Sequence, residues 1–366
     1  MIKATATMTT MDGDTEPLFS SQSGRRGCGA KCWFLTSLTT AVLVGLFLAG
    51  YNYYWKDVVG IRVMSFNTWG IPAKFGSRDK EKRMDKIGEV LAWGEYDIIL
   101  LEELWTQADH DTIKRAVSGS YHMTEYGDFN SLILPSPAGC SGLAIISRWK
   151  FIQSNFTKFT KQGDLGHILS DGEWLAGKGV GRAQVSPRPG IVVEVMVTHT
   201  ISEDGNYLIR EHQADEIVEH IENSKADFVI LGGDFNASPL MDIDKTYEKV
   251  KAVMTDVFQE IMANLKAWFK EEFATFANPR NTYKDIIPNQ KPVIYDYIFH
   301  KKKVSFPKSH CIAPLKFVFQ TDDIGMIWAK WFYLPFLNGL SAENNTISLS
   351  DHEPVTSHLY LWKQQK

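Results

Sequence analysis

Residues 227–236 have the sequence Asp227-Phe228-Val229-Ile230-Leu231-Gly232-Gly233-Asp234-Phe235-Asn236. The apolar run is continuous and short, which predicts a buried β-strand. Asp234 and Asn236 follow the run directly, so we expect them at a strand end, where α/β proteins position binding and catalytic side chains. In an extended chain both side chains would point to the same side. Taken alone, the pair fits an Asx turn before Pro239 at least as well.

A second polar segment, Ser350-Asp351-His352-Glu353-Pro354, opens the last apolar run of the chain. A histidine beside a carboxylate can act as a general base near neutral pH. A second carboxylate on a nearby strand would fix the histidine tautomer, and Asp296, within an apolar run, is the candidate. An Asp-His pair alone is more often a surface or capping feature, so its significance depends on the other polar strand ends.

Three further polar residues end or follow apolar runs in the same way: Asn67, Glu103 and His199. A buried carboxylate at Glu103 must pair or bind a metal, because burying it bare is costly. Hard oxygen ligands favour Mg²⁺ over softer ions. Glu102 should point to the opposite face of the strand and is interpreted as structural. Each residue alone fits a structural role, but the whole set predicts one site for a hard cation, a base and a phosphate.

Short apolar runs and amphipathic segments alternate along residues 56–366, which we expect to form one domain. The runs predict strands over residues 61–66, 97–101, 131–134, 142–147, 191–199, 227–232, 293–300 and 353–361. Apolar residues at helical spacing predict helices over residues 78–93 and 207–223. Strands and helices mix without strict βαβ alternation. This pattern favours an α/β fold of two packed mixed sheets with helices outside.

The first part of the chain has a different composition. Residues 1–31 are predicted to form a disordered tail, because residues 1–24 are rich in polar residues and show no periodic spacing of apolar residues. Residues 32–55 carry no formal charge and end in aromatic residues, which predicts a transmembrane anchor. A buried helix and a cleaved signal peptide are the alternatives. More basic residues precede the segment than follow it, which favours a luminal or extracellular domain.

Charge and cysteine content exclude some classes of protein. The net charge of −4 gives no global electrostatic case for nucleic-acid binding. Four cysteines are too few for a disulfide scaffold, and whether Cys140 and Cys311 pair is left open. Residues 326–337 are unusually aromatic and too short to cross a bilayer. They fit either a membrane-dipping element containing Trp331 and Phe332 or a core hairpin or helix.

The motifs together resemble the endonuclease/exonuclease/phosphatase superfamily over residues 61–360. The resemblance is carried by Phe66-Asn67-Thr68-Trp69-Gly70-Ile71-Pro72, Leu100-Leu101-Glu102-Glu103, Ser141-Gly142-Leu143, Thr198-His199, Gly233-Asp234-Phe235-Asn236, Asp296-Tyr297 and Ser350-Asp351-His352. Within it, the chain is similar to Mg²⁺-dependent neutral sphingomyelinases, also through the phosphate-loop-like segment at residues 173–181. Two departures are Glu173, where Asp is usual, and Tyr295, where Ile is more typical.

The resemblance implies a deoxyribonuclease-like four-layer sandwich and Mg²⁺-assisted hydrolysis of sphingomyelin to ceramide and phosphocholine. It implies metal-binding residues, namely Glu103, Asn67 and Asp351. It implies catalytic residues, namely His352 as base, Asp296 as its orienter, Asp234, Asn236 and His199. Substrate contacts are expected from Asn236, Lys178, Trp331 and Phe332. The expected partners are a lipid bilayer and its sphingomyelin, without nucleic acid.

Other functions remain open at the level of sequence. The same chemistry could act on a lysophospholipid, an inositol phosphosphingolipid or an inositol phosphate, and less favourably on abasic DNA. A tethered lipid-binding pseudoenzyme is a non-enzymatic alternative, which the retention of Glu103, Asp234, Asn236, Asp296 and His352 opposes.

Overall fold

The computed structural model describes residues 39–46, 48, 58–72, 76–130, 140–163, 176–257, 274–277, 283, 290–302, 348–352 and 354–362. The chain divides into two compact units, Met1–Lys56 and Asp57–Lys366. In the first unit, residues 39–46 are helical. A helix long and apolar enough to span a bilayer is absent from the described residues. Much of the anchor predicted over residues 32–55 falls outside them.

In the second unit, the described helices are α1 (Lys80–Trp93), α2 (Gln107–Val117), α3 (Tyr126–Phe129), α4 (Tyr207–Asn223) and α5 (Thr246–Lys251). The strands are β1 (Val58–Asn67), β2 (Ile98–Glu102), β3 (His122–Met123), β4 (Ala144–Ser147), β5 (Phe151–Lys158), β6 (Gly179–Arg188), β7 (Ile191–His199), β8 (Phe228–Asp234), β9 (Thr255–Asp256), β10 (Asp296–Lys302) and β11 (Val355–Trp362). They form two sheets, with strand orders β11-β1-β2-β4-β3 and β5-β6-β7-β8-β10-β9.

Both sheets are mixed, as the sequence predicts. In the first sheet β1 runs parallel to β2 and antiparallel to β11. In the second sheet β7 and β8 are parallel, while β10 is antiparallel to β8. Consequently β1, β7 and β8 end at the same edge at which β10 and β11 begin.

Strand alternation separates the core into layers. Inward-facing residues of both sheets, such as Val63, Leu100, Val195, Ile230 and Ile298, form one buried cluster between the sheets. Fully burying an aliphatic side chain of this kind is worth about 1.5–3 kcal/mol. The opposite faces pack against helices. Met64 and Leu101 contact α1 and α2, whereas Met196 and Leu231 contact α4 and α5. The two sheets are therefore flanked by helices, as expected.

Several elements were not predicted from the sequence. The strand β5 is an edge strand with many partly or fully exposed residues, so it lacks a clear apolar period. The inward-facing residues of β6 include Gly181 and Ala183, which are too small to give a strong apolar pattern. The strand predicted over residues 131–134 lies outside the described residues. Cys311 lies outside them too, whereas Cys140 is buried with its Sγ 3.0 Å from the Tyr126 hydroxyl.

Candidate active site

Asp234 is the centre of a buried polar cluster at the edge where the strands end. Its Oδ2 accepts a hydrogen bond from Nδ2 of Asn67 at 3.0 Å and lies 3.7 Å from Nε2 of both His199 and His352. Its Oδ1 accepts from the backbone N–H of Asn236 at 2.8 Å. Burial would raise the pKa of Asp234, but His352 and His199 outweigh burial and lower it. Asp234 thus connects groups from both sheets.

His352 and Asp296 form a hydrogen-bonded pair at the start of β11 and β10. Nδ1 of His352 lies 2.8 Å from Oδ2 of Asp296, and Nε2 is directed at Asp234. Burial raises the pKa of Asp296 to about 6, although His352 opposes the shift. Burial would lower the pKa of His352, but the carboxylates of Asp296, Asp234 and Asp351 hold it well above the usual value. The carboxylates therefore orient the imidazole and stabilise its protonated form.

Glu103 follows the end of β2 and reaches the cluster through an unusual backbone conformation. Its φ of 57° is left-handed, and its Oε1 accepts from Nδ2 of Asn67 at 3.0 Å. Burial raises the pKa of Glu103 to about 7, and Asp351 adds to this shift. Ligand atoms of Glu103, His199 and Asp234 all lie within 4.8 Å of one another. Buried carboxylates held this close fit a hard divalent cation.

Glu102 corrects an expectation from strand alternation. Alternation of side chains along β2 predicts that Glu102 points away from the site if Glu103 points toward it. In the structure Glu102 is on the inner face, where its Oε1 accepts from Ser65 Oγ at 2.8 Å. Burial, and then the charges of Asp296 and Asp234, raise its pKa well above the usual value. Alternation fails because the left-handed φ of Glu103 turns that carboxyl back toward the inner face.

Lys178 lies behind His199 in a fully buried position. Its Nζ is 3.2 Å from Nε2 of His199 and donates to the carbonyl of Thr200 at 2.9 Å. Asn236 Nδ2 donates to the same carbonyl at 3.1 Å. The φ of Asn236 is 45°, so the chain does not stay extended, and the Asx turn is the conformation found after Asp234. Of the two conformations that the sequence leaves open at these positions, the Asx turn is therefore the one observed.

Arg83 is a site residue that sequence reasoning missed. Its guanidinium donates to the carbonyls of Thr68, Trp69 and Leu349, at 2.8–2.9 Å. These bonds join the loop after β1 to the segment that carries Asp351 and His352. The sequence signal that could have identified it is its position in the helical pattern, because Arg83 falls on the buried face of α1. Its charge and His352 oppose the rise that burial causes in the pKa of Asp351.

The structure brings most of the predicted site residues together at this edge of the sheets. Asn67, Glu103, His199, Asp234, Asn236, Asp296, Asp351, His352 and Lys178 all belong to this cluster or its immediate surroundings. Trp331 and Phe332 lie outside the described residues. The arrangement combines an oriented imidazole with a group of carboxylates that fits a cation. Such a site can activate water and stabilise negative charge on a phosphoryl group.

Two curated proteins are similar in sequence to this chain. The chain is 27% identical over 285 residues to inositol phosphosphingolipids phospholipase C of Schizosaccharomyces pombe, covering 72% of this chain and 65% of the relative. It is 29% identical over 256 residues to sphingomyelin phosphodiesterase 2 of Homo sapiens, covering 67% of this chain and 57% of the relative. The chain therefore spans less than two thirds of the length of these relatives.

A solved structure shares the fold. A mutant beta toxin of Staphylococcus aureus, crystallised with bound magnesium ions, aligns with a TM-score of 0.57 at 20% identity, over 82% of this chain and 99% of that one. The model of the endonuclease/exonuclease/phosphatase family matches residues 64–352, a range that contains Asn67, Asp234 and His352. The match covers more than half of the sequence, and the chain belongs to the endonuclease/exonuclease/phosphatase family.

Proposed function

We propose that this chain hydrolyses the phosphodiester of sphingomyelin to release ceramide and phosphocholine, with Mg²⁺ as its metal. One observation carries the proposal: Asp234 contacts both the His352–Asp296 pair and the Glu103–Asn67 pair. A base and a cation site can then act on one phosphate. The similarity to a sphingomyelin phosphodiesterase and to an inositol phosphosphingolipid phospholipase supports the lipid class of substrate.

The imidazole of His352 is the proposed general base. Its Nδ1 donates to Asp296, so in the neutral imidazole the free Nε2 is the acceptor on the side of Asp234. A cation held by the neighbouring carboxylates would offset the charges that raise the pKa of His352 and so favour this neutral form. Water held near Asp234 would transfer its proton to Nε2 as its oxygen attacks phosphorus in line with the ceramide oxygen. The P–O bond to ceramide then breaks, the ceramide alkoxide takes a proton from solvent, and the imidazolium of His352 returns its proton to solvent. A positioned base of this kind contributes typically about 10²–10⁴-fold to rate.

The metal would be held by Glu103 and Asp234, with Asn67 fixing both carboxylates and Asp351 contributing nearby negative charge. A bound Mg²⁺ would polarise a phosphoryl oxygen and stabilise the charge that develops there. His199, backed by Lys178, would donate to a second phosphoryl oxygen. Asn236 is partly exposed beside this position and would contact the phosphate.

We further propose that residues 32–55 anchor the enzyme in a membrane, with the catalytic unit on the luminal or extracellular side. Support comes from the uncharged apolar segment and its flanking charges. The aromatic stretch containing Trp331 and Phe332 would contact the bilayer that carries the substrate. Changing both residues to Ala should weaken liposome binding more than it weakens hydrolysis of a soluble substrate, and equal losses would reject the contact.

The test is release of phosphocholine from sphingomyelin liposomes in Mg²⁺ and in EDTA. We expect release in Mg²⁺, its loss in EDTA, and its loss in His352→Ala. His122→Ala is a matched control, because His122 is exposed on β3. Inositol phosphosphingolipid and abasic DNA are tested in parallel. Faster cleavage of the inositol lipid would favour the second candidate, suggested by the fission-yeast relative, and cleavage of DNA alone would refute both lipid functions.

A further inference from the structure

Two aromatic rings lie next to the imidazole of His352. The ring of Phe276 is 4.8 Å from that of His352, centroid to centroid. The ring of Tyr295 stacks on Phe276 at 5.8 Å with an interplanar angle of 26°. Both aromatic residues are partly exposed. The backbone of Phe276 forms bridges to both Val293 and His352, which fixes the rings relative to the base.

The surroundings of Tyr295 are negative. Burial raises the pKa of Tyr295 to about 12, and the charges of Asp204, Asp234 and Glu203 add to the shift, with Arg210 opposing. Asp204 and Glu203 are exposed. The guanidinium of Arg210 is buried and paired with a carboxylate of its own, Asp244, at 2.7 Å, so its charge is largely balanced. A partly exposed aromatic surface in a negative field favours a cation.

We infer that Tyr295 and Phe276 form a subsite for the quaternary ammonium group of a choline headgroup. The inference rests on the proposed function, because it requires a phosphodiester bound beside His352. In phosphocholine a two-carbon bridge separates the phosphate oxygen from the nitrogen, so a phosphate at His352 leaves the ammonium within reach of the neighbouring rings. Aromatic faces bind quaternary ammonium through cation–π attraction, within about 6 Å of the ring centroid.

The same surroundings discriminate among headgroups. Inositol is a neutral polyol, so it gains little from the ring quadrupole or from the carboxylates of Asp204 and Glu203. The subsite therefore favours choline esters over inositol esters. Sphingomyelin and lysophosphatidylcholine carry the same headgroup and would both use it, so hydrolysis of sphingomyelin liposomes and of lysophosphatidylcholine micelles is measured separately to distinguish the two lipid sources.

The first test is calorimetric binding of phosphocholine and of inorganic phosphate in Mg²⁺. We expect Tyr295→Leu and Phe276→Leu each to raise the Kd for phosphocholine about tenfold, which corresponds to about 1.4 kcal/mol and lies within the cation–π range. The Kd for phosphate should rise much less. Tyr295→Phe should keep most of the affinity. Trp93→Leu is a matched control, because Trp93 is 79% exposed on α1. Equal changes for both ligands, or none, would overturn the inference.

A second variant changes only exposed carboxylates, so it tests the subsite without disturbing the packing of the fold. Glu203→Gln with Asp204→Asn should weaken phosphocholine binding and slightly strengthen phosphate binding at low salt, so the affinity ratio falls. An unchanged ratio counts against the subsite. If wild type binds phosphocholine through Tyr295 but releases none from sphingomyelin, only the proposed function fails. If wild type hydrolyses sphingomyelin and the Leu variants keep its preference for choline esters over headgroup-free diesters, only the subsite fails.

Discussion

Replacing Arg83 should both destabilise the catalytic unit and impair the site. Four hydrogen bonds leave the guanidinium: one from Nε to Arg78, and three from Nη1 and Nη2 to Thr68, Leu349 and Trp69. Hydrogen bonds of a charged donor contribute about 1.5–3 kcal/mol each. Their sum is an upper bound, because burial of the guanidinium is itself unfavourable and lowers its pKa.

Removing one partner of a buried charged network typically costs about 3–5 kcal/mol, and we expect this loss for Arg83→Met. Domains unfold at about 5–15 kcal/mol, so the variant should still fold. Arg83→Lys keeps the charge but not the planar fork, and should lose about half as much. The kcat should fall in both variants, because the segment that follows Asn67 and the segment that precedes His352 lose the hydrogen bonds that join them.

Urea unfolding followed by tryptophan fluorescence gives the stability, and initial rates in saturating Mg²⁺ give kcat. Arg148→Met is the matched control. Arg148 also donates to two carbonyls and contacts Asp97, but at a half-exposed position away from the cluster. It should lower stability less and leave kcat unchanged. Loss of stability in Arg83→Met with an intact kcat would refute the argument that Arg83 organises the site.

Three other predictions concern the carboxyl groups. Asp296→Asn should lower kcat about 10²–10⁴-fold with little change in Mg²⁺ affinity, because it removes the orienting acceptor of His352; an unchanged kcat contradicts that role. Burial raises the pKa of Glu103 to about 7, so calorimetric Mg²⁺ affinity should increase from about pH 6 to about pH 8 as the carboxyl loses its proton, and Glu103→Gln should remove this dependence. The raised pKa of Glu102 stabilises the fold below the unfolded value of 4.5, and that contribution is lost as pH rises toward the folded pKa. Glu102→Gln should therefore be more stable than wild type at about pH 8 and similar at about pH 5, and equal pH profiles would contradict this.

The location of the cluster was predictable because the strands obey alternation up to their ends. Asn67, His199, Asp234 and Asp296 occupy the same inward parity as the apolar residues of their own strands. An apolar run that ends in a polar residue of inward parity therefore predicts a polar group at the edge of the core. Glu103 breaks this rule, since its position depends on a backbone dihedral and not on parity.

The sequence names Lys178 as a substrate contact, but the burial of Lys178 and Arg83 was not predictable, for a different reason. Lys178 and Arg83 are satisfied by carbonyls of other segments, and Arg83 bonds Leu349 across 266 residues of sequence. A single sequence gives the prior that lysine and arginine are exposed. Only the tertiary fold supplies enough carbonyls in one place to reverse that preference. The partners of Lys178 also come from a strand end that the fold brings to it.

Three of the six non-glycine residues with positive φ in the described part of the chain border the site. Trp69, Glu103 and Asn236 all have positive φ, of 48°, 57° and 45°, and each such residue costs about 1–2 kcal/mol. Side chains of the cluster offset this cost, since Asn67 Oδ1 accepts from Trp69 N–H at 2.9 Å and Asp234 Oδ1 accepts from Asn236 N–H at 2.8 Å.

Asn67 and Asp234 therefore have two roles, because the same side chains that lie in the candidate site also fix the backbone of its loops. The carboxyl groups of Glu103 and Asp234 are consequently held close by the fold itself, through their common donor Asn67. The charge of Asp351 disfavours the ionised form of Glu103, and a divalent cation would relieve this repulsion. Strain and repulsion at one edge of the sheets thus favour metal binding without a large rearrangement of the loops.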